Sequence, residues 1–192
     1  MCGLDHRRAV VVFGTLLLFA SPQRTVAQRH RDPCRLLTDA EMRAVQGHAP
    51  TQKIQSEQPA GSFRFTQCFY RTAELSSSVS VALGLPLTDS KRSGPRDYWQ
   101  AQFKREEREE REEREESDEK KQLPRRLAGF GDEAFWVGDP VTGALYVLRG
   151  EVFLRVSVGG PADQSQKIKR ARTLALYALK RLDTGGSAAR SR

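Results

Sequence analysis

The stretch that decides the fold runs from Gly129 to Gly160 and reads GFGDEAFWVGDPVTGALYVLRGEVFLRVSVGG. Three of its segments are rich in β-branched and aromatic residues, and each is bounded by a turn that contains glycine, which is the pattern of consecutive strands in a meander. We therefore predict strands at Phe135 to Val137, Ala144 to Leu148 and Val152 to Val158.

The last of these strands has one apolar face, which requires a cover. Apolar and mostly polar residues alternate along it, as in a strand with one buried side. A helix that could cover this face follows, because apolar residues recur at helical spacing from Ile168 to Leu182. Asp163 and Gln166 have the spacing of a capping box at its start, and the helix is expected to end before Gly185.

Elements that precede the meander are also marked by their sequence. Thr38 and Glu41 have capping-box spacing and Gly47 suits a helix end, so a short helix is predicted between them. The segment from His48 to Gly61 contains two prolines and several polar residues and is predicted to be a loop. Alternating patterns predict strands at Ser62 to Thr72 and Ser78 to Leu83.

A second helix is predicted to start at Pro95, after a loop that contains proline and glycine. Trp99 and Phe103, four residues apart, would dock its first turns on the sheet. Together these elements predict an α+β fold with a single domain over residues 34–183. The predicted sheet has about five antiparallel strands with helices packed on one face, in the order α-β-β-α-β-β-β-α.

The first 27 residues predict an export signal. Basic residues come first, an apolar run of 12 residues extends from Ala9 to Ala20, and Thr-Val-Ala suits cleavage after Ala27. The apolar run is shorter than the ~20 residues of a membrane-spanning helix, which favours cleavage over a retained anchor. The mature protein is then expected in the periplasm or outside the cell, with no transmembrane helix. Residues 28–33 are expected to form a flexible arm and residues 184–192 a disordered tail.

Cys34 and Cys68 remain when the signal, with Cys2, is removed. Two cysteines in an oxidising compartment predict a disulfide. A redox pair and a metal site are the alternatives. Both are less favoured, because Cys-x-x-Cys spacing is absent and His30 and His48 are too few to complete a zinc site. We expect no metal and no cofactor.

Charge is unevenly distributed along the chain, whose formal net charge is +8. Residues 104–121 hold seven basic and ten acidic residues in a near-perfect Arg-Glu-Glu repeat, and they have no apolar positions for a coiled coil. We expect a charged low-complexity insertion there, helical or disordered, with a partner-binding or spacer role as the alternative.

The C-terminal third is basic, with twelve basic and six acidic residues in 122–192. Several of these charges lie on the predicted last helix and would allow peripheral contact with an anionic surface. Nucleic acid is not an expected partner, because the protein is predicted to be exported and lacks a stacking platform. The helix residues proposed for the anionic contact are Lys167, Lys169, Arg170 and Arg172.

Known catalytic motifs are absent from the sequence, including a Gly-x-Ser-x-Gly elbow, a phosphate loop and His-Glu-x-x-His, so no catalytic residue is assigned. The most site-like segment is the loop before the first meander strand, where the candidate binding residues are Phe130, Asp132, Glu133 and Trp136. The structural alternative is that the glycines only turn the chain and that Trp136 belongs to the core. The adjacent acids Asp132 and Glu133 point to opposite faces of a strand and do not form an obvious catalytic pair.

Four motifs together resemble a known group of proteins. They are Pro-Cys-x-Leu-Leu-Thr-x-Ala-Glu at Pro33 to Glu41, Cys68 before Phe69, Gly-x-Gly-Asp-Glu-Ala-Phe-Trp at Gly129 to Trp136, and the strand pair at Leu145 to Val158. The sequence from Pro33 to about Leu182 resembles small exported bacterial proteins and lipoproteins of unknown function. These are similar in layout to the extracellular sensor domain of some mycobacterial serine/threonine kinases.

The resemblance implies an antiparallel sheet with helices on one face and brings no catalytic residues. Many of these proteins carry a lipid-attachment cysteine after the signal, whereas here none follows Ala27. The leading hypothesis is a non-enzymatic, exported domain of the cell envelope that binds a ligand or a protein. The alternatives are an enzyme, such as a hydrolase, with an unrecognised site, and an interaction protein that acts through residues 104–121.

Overall fold

The three strands predicted within Gly129 to Gly160 are present in the computed structural model of the protein. β5 spans Glu133–Gly138, β6 spans Gly143–Arg149 and β7 spans Val152–Val158. They pair antiparallel in chain order, so that neighbouring side chains on one face come from consecutive strands. The apolar face predicted for the last strand is confirmed, because Leu154, Val156 and Val158 are fully buried, but the prediction of a mostly solvated opposite face is wrong, because Phe153 on that face is buried too.

The structure describes residues 31–61, 63–87, 94–103, 124–138 and 141–187, with side chains as far as Thr184. The predicted export signal at residues 1–27 and the charged run at residues 104–121 lie outside the described residues. The same is true of residues 188–192 of the predicted tail.

The meander continues into a wider sheet than predicted. In the described part of the chain the sheet has seven strands in the order β1-β2-β3-β7-β6-β5-β4, and every neighbouring pair is antiparallel. The pairing of β3 with β7 joins the N-terminal strands to the meander. The additional strands are β1 at Pro50–Ala60, β2 at Phe63–Thr72, β3 at Val79–Pro86 and β4 at Arg125–Arg126.

The loop predicted from His48 to Gly61 is wrong, because β1 occupies most of it. β1 lies at the edge of the sheet and its residues between the two ends are exposed, so its sequence shows no alternation of apolar and polar residues. Pro50 and Pro59 lie near the strand ends, where a missing backbone N–H interrupts the fewest ladder bonds. β4 is only two residues long and carries no pattern that sequence reasoning can detect.

Three helices accompany the sheet in the described residues. α1 spans Asp39–Gln46 and α3 spans Gln164–Ser187, whereas α2 is described over residues 95–103. The predicted capping box of α1 is confirmed, and Gly47 ends the helix with a left-handed φ of 82°. α3 continues past the predicted end before Gly185. The observed order of elements is α-β-β-β-α-β-β-β-β-α.

Helices cover both faces of the sheet, which corrects the prediction of helices on one face. The first face packs against α1 and α3, and its strand residues include Cys68, Val81, Trp136, Leu145 and Val156. The second face packs against α2 through Trp99 and Phe103, and its strand residues include Phe63, Phe65, Phe135, Tyr146 and Phe153. Neighbours in a strand point to opposite faces, so two apolar residues in succession, such as Phe153 and Leu154, require a cover on each side.

The predicted disulfide between Cys34 and Cys68 is confirmed, with an S–S distance of 2.02 Å. It joins the short 3₁₀ turn Pro33–Arg35 to β2 on the first face. The buried hydroxyl of Tyr70 strengthens this junction, because it donates to the Pro33 carbonyl at 2.6 Å and accepts from the Leu37 N–H at 3.3 Å. Pro33, which belongs to the arm predicted to be flexible at residues 28–33, is therefore held in this junction, whereas residues 28–30 lie outside the described residues.

An ion pair fastens α1 to α3. Arg181 donates to the Glu41 carboxylate at 2.9 Å and to the Leu36 carbonyl at 2.9 Å. Burial alone would raise the pKa of the Glu41 carboxyl, but the hydrogen bonds from Arg181 and from Thr38 outweigh it, so the pKa is lowered. The N-terminal segment is thus held by a disulfide, a tyrosine and an arginine.

Reducing the disulfide should destabilise the domain substantially. The bond closes a loop between residues 34 apart in sequence, and loop entropy predicts a loss of about 3–4 kcal/mol in the free energy of unfolding. Urea denaturation of the protein with and without reductant, and of a Cys34→Ala/Cys68→Ala variant, measures this loss. Equal midpoints for the oxidised and reduced protein would contradict the structural role of the bond.

Replacing Tyr70 with Phe should weaken the same junction and change its pH dependence. The Leu37 N–H would lose its buried partner, at a cost of about 1–3 kcal/mol. Burial raises the pKa of Tyr70. The stability linked to its proton is therefore present below the ordinary tyrosine pKa of about 10 and is lost as the pH rises above it. Denaturation between neutral pH and pH ~11 should show a steeper alkaline loss for the wild type than for Tyr70→Phe; parallel profiles would refute this.

Candidate functional site

The loop that precedes β5 turns at two glycines and is joined to β6 by a backbone hydrogen bond. Gly129 and Gly131 have left-handed φ values of 84° and 49°. A Cβ atom on Gly131 would lie 2.2 Å from the Leu148 carbonyl oxygen, so no side chain fits there. The Asp132 N–H donates to that same oxygen at 2.8 Å. Glycine at position 131 is therefore required by packing as well as by conformation.

Asp132 connects three segments at one end of the sheet. Its Oδ2 atom accepts from the Gly150 N–H at 3.0 Å and from Arg96 Nη2 at 2.6 Å. Arg96, at the start of α2, also donates to the Gly150 carbonyl at 3.3 Å. The carboxylate thus ties the β6–β7 turn to α2, and this explains an acidic residue at position 132 without a ligand.

The other candidate residues of this loop point in different directions. Glu133 lies on the second face and accepts from Trp99 Nε1 at 3.1 Å. Phe130 is buried on the first face, where the Arg172 guanidinium lies 4.9 Å from its ring centroid. Trp136 is also in that core, with 1% of its surface exposed. The four residues therefore do not converge on one surface, and their predicted binding role stays a prediction.

An aromatic cluster holds α2 on the second face. Phe103 stacks on Phe135 with ring centroids 4.6 Å apart and contacts Tyr146 edge-on at 5.5 Å. Trp99 lies 4.4 Å from Phe103 between ring centroids and is almost fully buried. Such pairs contribute about 0.5–1.5 kcal/mol each beyond area burial. The docking predicted for Trp99 and Phe103 is confirmed, and it covers the half of the second face that lies near the β6–β7 turn.

The other half of the second face is only half-buried. On β7 the side chains that follow Phe153 on this face are Arg155 and Ser157. Arg155 lies between Ala82 of β3 and Tyr146 of β6, and Ser157 lies between Ser80 and Ala144. We name the half-buried polar residues here the Arg155 strip, which consists of Gln67, Ser80, Arg155 and Ser157.

Arg155 is an unpaired charge among the described residues. Its guanidinium carbon lies 5.6 Å from the centroid of the Tyr146 ring, but no carboxylate of the described ranges lies within 4.0 Å of it. Arg155 Nε and Ser157 Oγ are both shielded from water and lack a hydrogen-bond partner in the described part of the chain. Leaving buried donors unsatisfied is costly, and more so for a charged group. The strip therefore offers hydrogen bonds that the described residues do not use.

Sequence reasoning missed this strip because it assigned that side of β7 to solvent. The pattern did contain a signal. A charged residue, Arg155, stands in the middle of a strand between Phe153 and Ser157, which share its face. Once Phe153 is known to be buried, Arg155 must lie beside a covered region and not in open water.

One of the four basic residues of α3 predicted to contact an anionic surface is buried, and the contact proposed for the other three stays a prediction. Lys167 has only 1% of its surface exposed, and its Nζ donates to the Val141 carbonyl at 2.8 Å. The prediction that Lys167 contacts an external anionic surface is therefore wrong, because its long side chain turns inward to satisfy a backbone carbonyl. Lys169 and Arg172 are both exposed, although the Arg172 guanidinium lies over the Phe130 ring, and the half-buried Arg170 donates to the Gln46 amide oxygen at 3.5 Å.

Within the described ranges, no three His, Cys, Asp or Glu side chains are grouped so that they could hold a metal ion. None of the helices described is both long enough and apolar enough to cross a membrane. The expectations of no metal and no cofactor stay predictions.

A pair of glycine variants tests the packing of the loop. Gly129→Ala and Gly131→Ala both place a side chain at a positive φ, which costs about 1–2 kcal/mol. Only Gly131→Ala also forces a Cβ against a backbone carbonyl, because a Cβ on Gly129 would meet nothing within 4 Å. Denaturation should therefore show a clearly larger loss of stability for Gly131→Ala. Equal losses would mean that the contact with Leu148 is not a constraint.

No protein-family model, curated protein or solved structure matches this chain. The resemblance to small exported bacterial proteins and to the kinase sensor domain therefore stays a hypothesis. Function has to be inferred from the geometry of the chain itself.

Proposed function

We propose that this protein is an exported, non-enzymatic domain that binds a carboxylate-bearing ligand at the Arg155 strip. The observation that carries the proposal is the guanidinium of Arg155, which lies half-buried on the second face with no carboxylate partner among the described residues. An arginine held in this way gains more from an external anion than a fully solvated one, since partial burial strengthens the attraction.

The chemistry of the strip favours a carboxylate. A guanidinium can donate two parallel hydrogen bonds to the two oxygens of one carboxylate, and such bonds are among the strongest in proteins. The Tyr146 ring lies against the guanidinium, and the hydroxyls of Ser80 and Ser157 on neighbouring strands supply further donors. Phe69 and Val137 are half-buried on the same face and would contact the apolar part of a ligand.

Export is supported by the disulfide between Cys34 and Cys68. Disulfides form and persist in oxidising compartments and are rare in the cytosol. The pattern of residues 1–27 points the same way, because it has the basic start, apolar run and small-residue end of a cleavable signal. We therefore place the binding domain in the periplasm or outside the cell.

A non-enzymatic role is supported by the contacts of three of the described acidic side chains. Asp132 is bonded to Arg96 and Gly150, and Glu133 accepts from Trp99. Glu41 is paired with Arg181. These carboxylates hold secondary structures together at separate places and do not converge on one point, as acid and base catalysis would require.

Arg155→Gln should strongly weaken the binding of a simple carboxylate ligand. We would titrate the labelled protein with glutarate and with a tetraglutamate peptide, and follow the NMR signals of β7 and of Tyr146. A charge-assisted hydrogen bond contributes about 1.5–3 kcal/mol, so the variant should bind about ten- to a hundredfold more weakly. Lys169→Gln is the matched control, because it removes the same charge from an exposed position on α3.

Measuring the thermal stability of Arg155→Gln shows whether a loss of binding is caused by a loss of folding. A positive charge without a partner does not stabilise the fold, so Arg155→Gln should unfold at the same temperature as the wild type or at a higher one. The proposal fails if the wild type shows no shifts at the strip. It also fails if Arg155→Gln binds as well as Lys169→Gln does.

A further inference from the structure

β1 leaves one edge of the sheet open. It pairs with β2 on one side only, and no other strand of the described residues lies on its outer side. The opposite edge of the sheet, by contrast, is formed by β4, which is only two residues long. β1 is the longest strand described, at 11 residues, and its residues between Pro50 and Ala60 are exposed. It therefore presents a long row of backbone donors and acceptors that another strand can pair with.

The charges on β1 are arranged symmetrically about its centre. Lys53 and Glu57 each lie two residues from Gln55, so all three share the first face of the sheet. If two copies of β1 pair antiparallel with Gln55 opposite Gln55, Lys53 of each copy lies directly across from Glu57 of the other. Opposite charges at directly facing positions stabilise a strand pair, whereas like charges destabilise it.

We propose that the β1 edge binds β1 of a second copy of this chain, in an antiparallel pair centred on Gln55. The result is a two-fold symmetric dimer in which one sheet runs through both copies. In this register Gln52 faces Gln58 and Thr51 faces Pro59, so that the prolines fall at the ends of the ladder. The residues between them all keep their backbone N–H groups for pairing.

Other registers leave the charges unmatched. A pair centred on Ile54 places Lys53 across from Gln55, and a pair centred on Ser56 places Glu57 across from Gln55. Centring on Lys53 or on Glu57 puts like charges face to face. Charged side chains on an edge strand discourage indiscriminate pairing, and here they select one arrangement.

Existing ion pairs of β1 fit this arrangement. Lys53 Nζ lies 2.8 Å from an Asp39 oxygen of α1, and Glu57 lies 3.5 Å from Arg64 of β2. The side chains in both pairs are at least one-third exposed, so neither pair binds tightly enough to prevent a second contact. In the dimer the charges would alternate in sign across the interface, from Asp39 to Lys53 of one copy and then to Glu57 and Arg64 of the other.

Charge reversal tests both the dimer and its register. We would measure the mass of the purified protein by sedimentation equilibrium over a range of concentrations. The wild type should dimerise as its concentration rises. Lys53→Glu alone and Glu57→Lys alone should each associate at least about tenfold more weakly than the wild type, because both symmetry-related pairs become like-charged. An equimolar mixture of the two variants should dimerise again, because each then faces the opposite charge.

The controls keep the result independent of folding. Lys169→Glu changes charge by the same amount on α3 and should dimerise like the wild type. The double variant Lys53→Glu/Glu57→Lys keeps the composition of the strand and should also dimerise. A wild type that stays monomeric up to millimolar concentration overturns the proposal. So does a mixture of folded single variants, judged by circular dichroism, that fails to associate.

Discussion

The alternation of side chains along β7 is the constraint on which the rest of the structure depends. β7 is the central strand of the sheet and joins the N-terminal strands to the meander. Leu154 and Val156 point to the first face and demand the cover that α3 provides, whereas Phe153 points to the second face and contacts α2. Arg155 and Ser157 follow Phe153 on that second face. The alternation of side chains that buries Leu154 and Val156 in the core therefore also places the charged side chain of Arg155 next to the buried Phe153.

The sequence predicted the helices and strands that are marked by residues a few positions apart. It did not predict the strands and contacts that depend on residues distant in sequence. The capping residues Thr38 and Glu41 and the apolar face of β7 are set by residues a few positions apart, and the structure confirms both. β1 escaped detection because an edge strand exposed on both sides has no apolar period. The sequence did not show that α2 covers the second face, because no local pattern indicates that Trp99 contacts Phe153, which lies 54 residues further along the chain.

The residues of the candidate site also differ in whether the sequence alone indicates them. The glycines and Asp132 of the loop before β5 were recognisable from sequence, but the structure gives them contacts that hold the sheet end and α2 in place. Arg155 was not recognisable, because its surroundings come from β3 and β6, which are distant in sequence. A residue that adds little to stability and lacks a partner among the described residues is better evidence of binding than one whose contacts already explain it.

The unpaired state of the Arg155 guanidinium is the central claim, and the NMR chemical shifts of its N–H groups report on it most directly. In the ligand-free protein we predict signals at the shift of a guanidinium that has no carboxylate partner, and these signals should move when glutarate is added, because the carboxylate accepts hydrogen bonds from the free N–H groups. Signals that already have the shift of a carboxylate-bonded guanidinium without ligand, and that glutarate leaves unchanged, would show that Arg155 is paired within its own chain and would contradict the account.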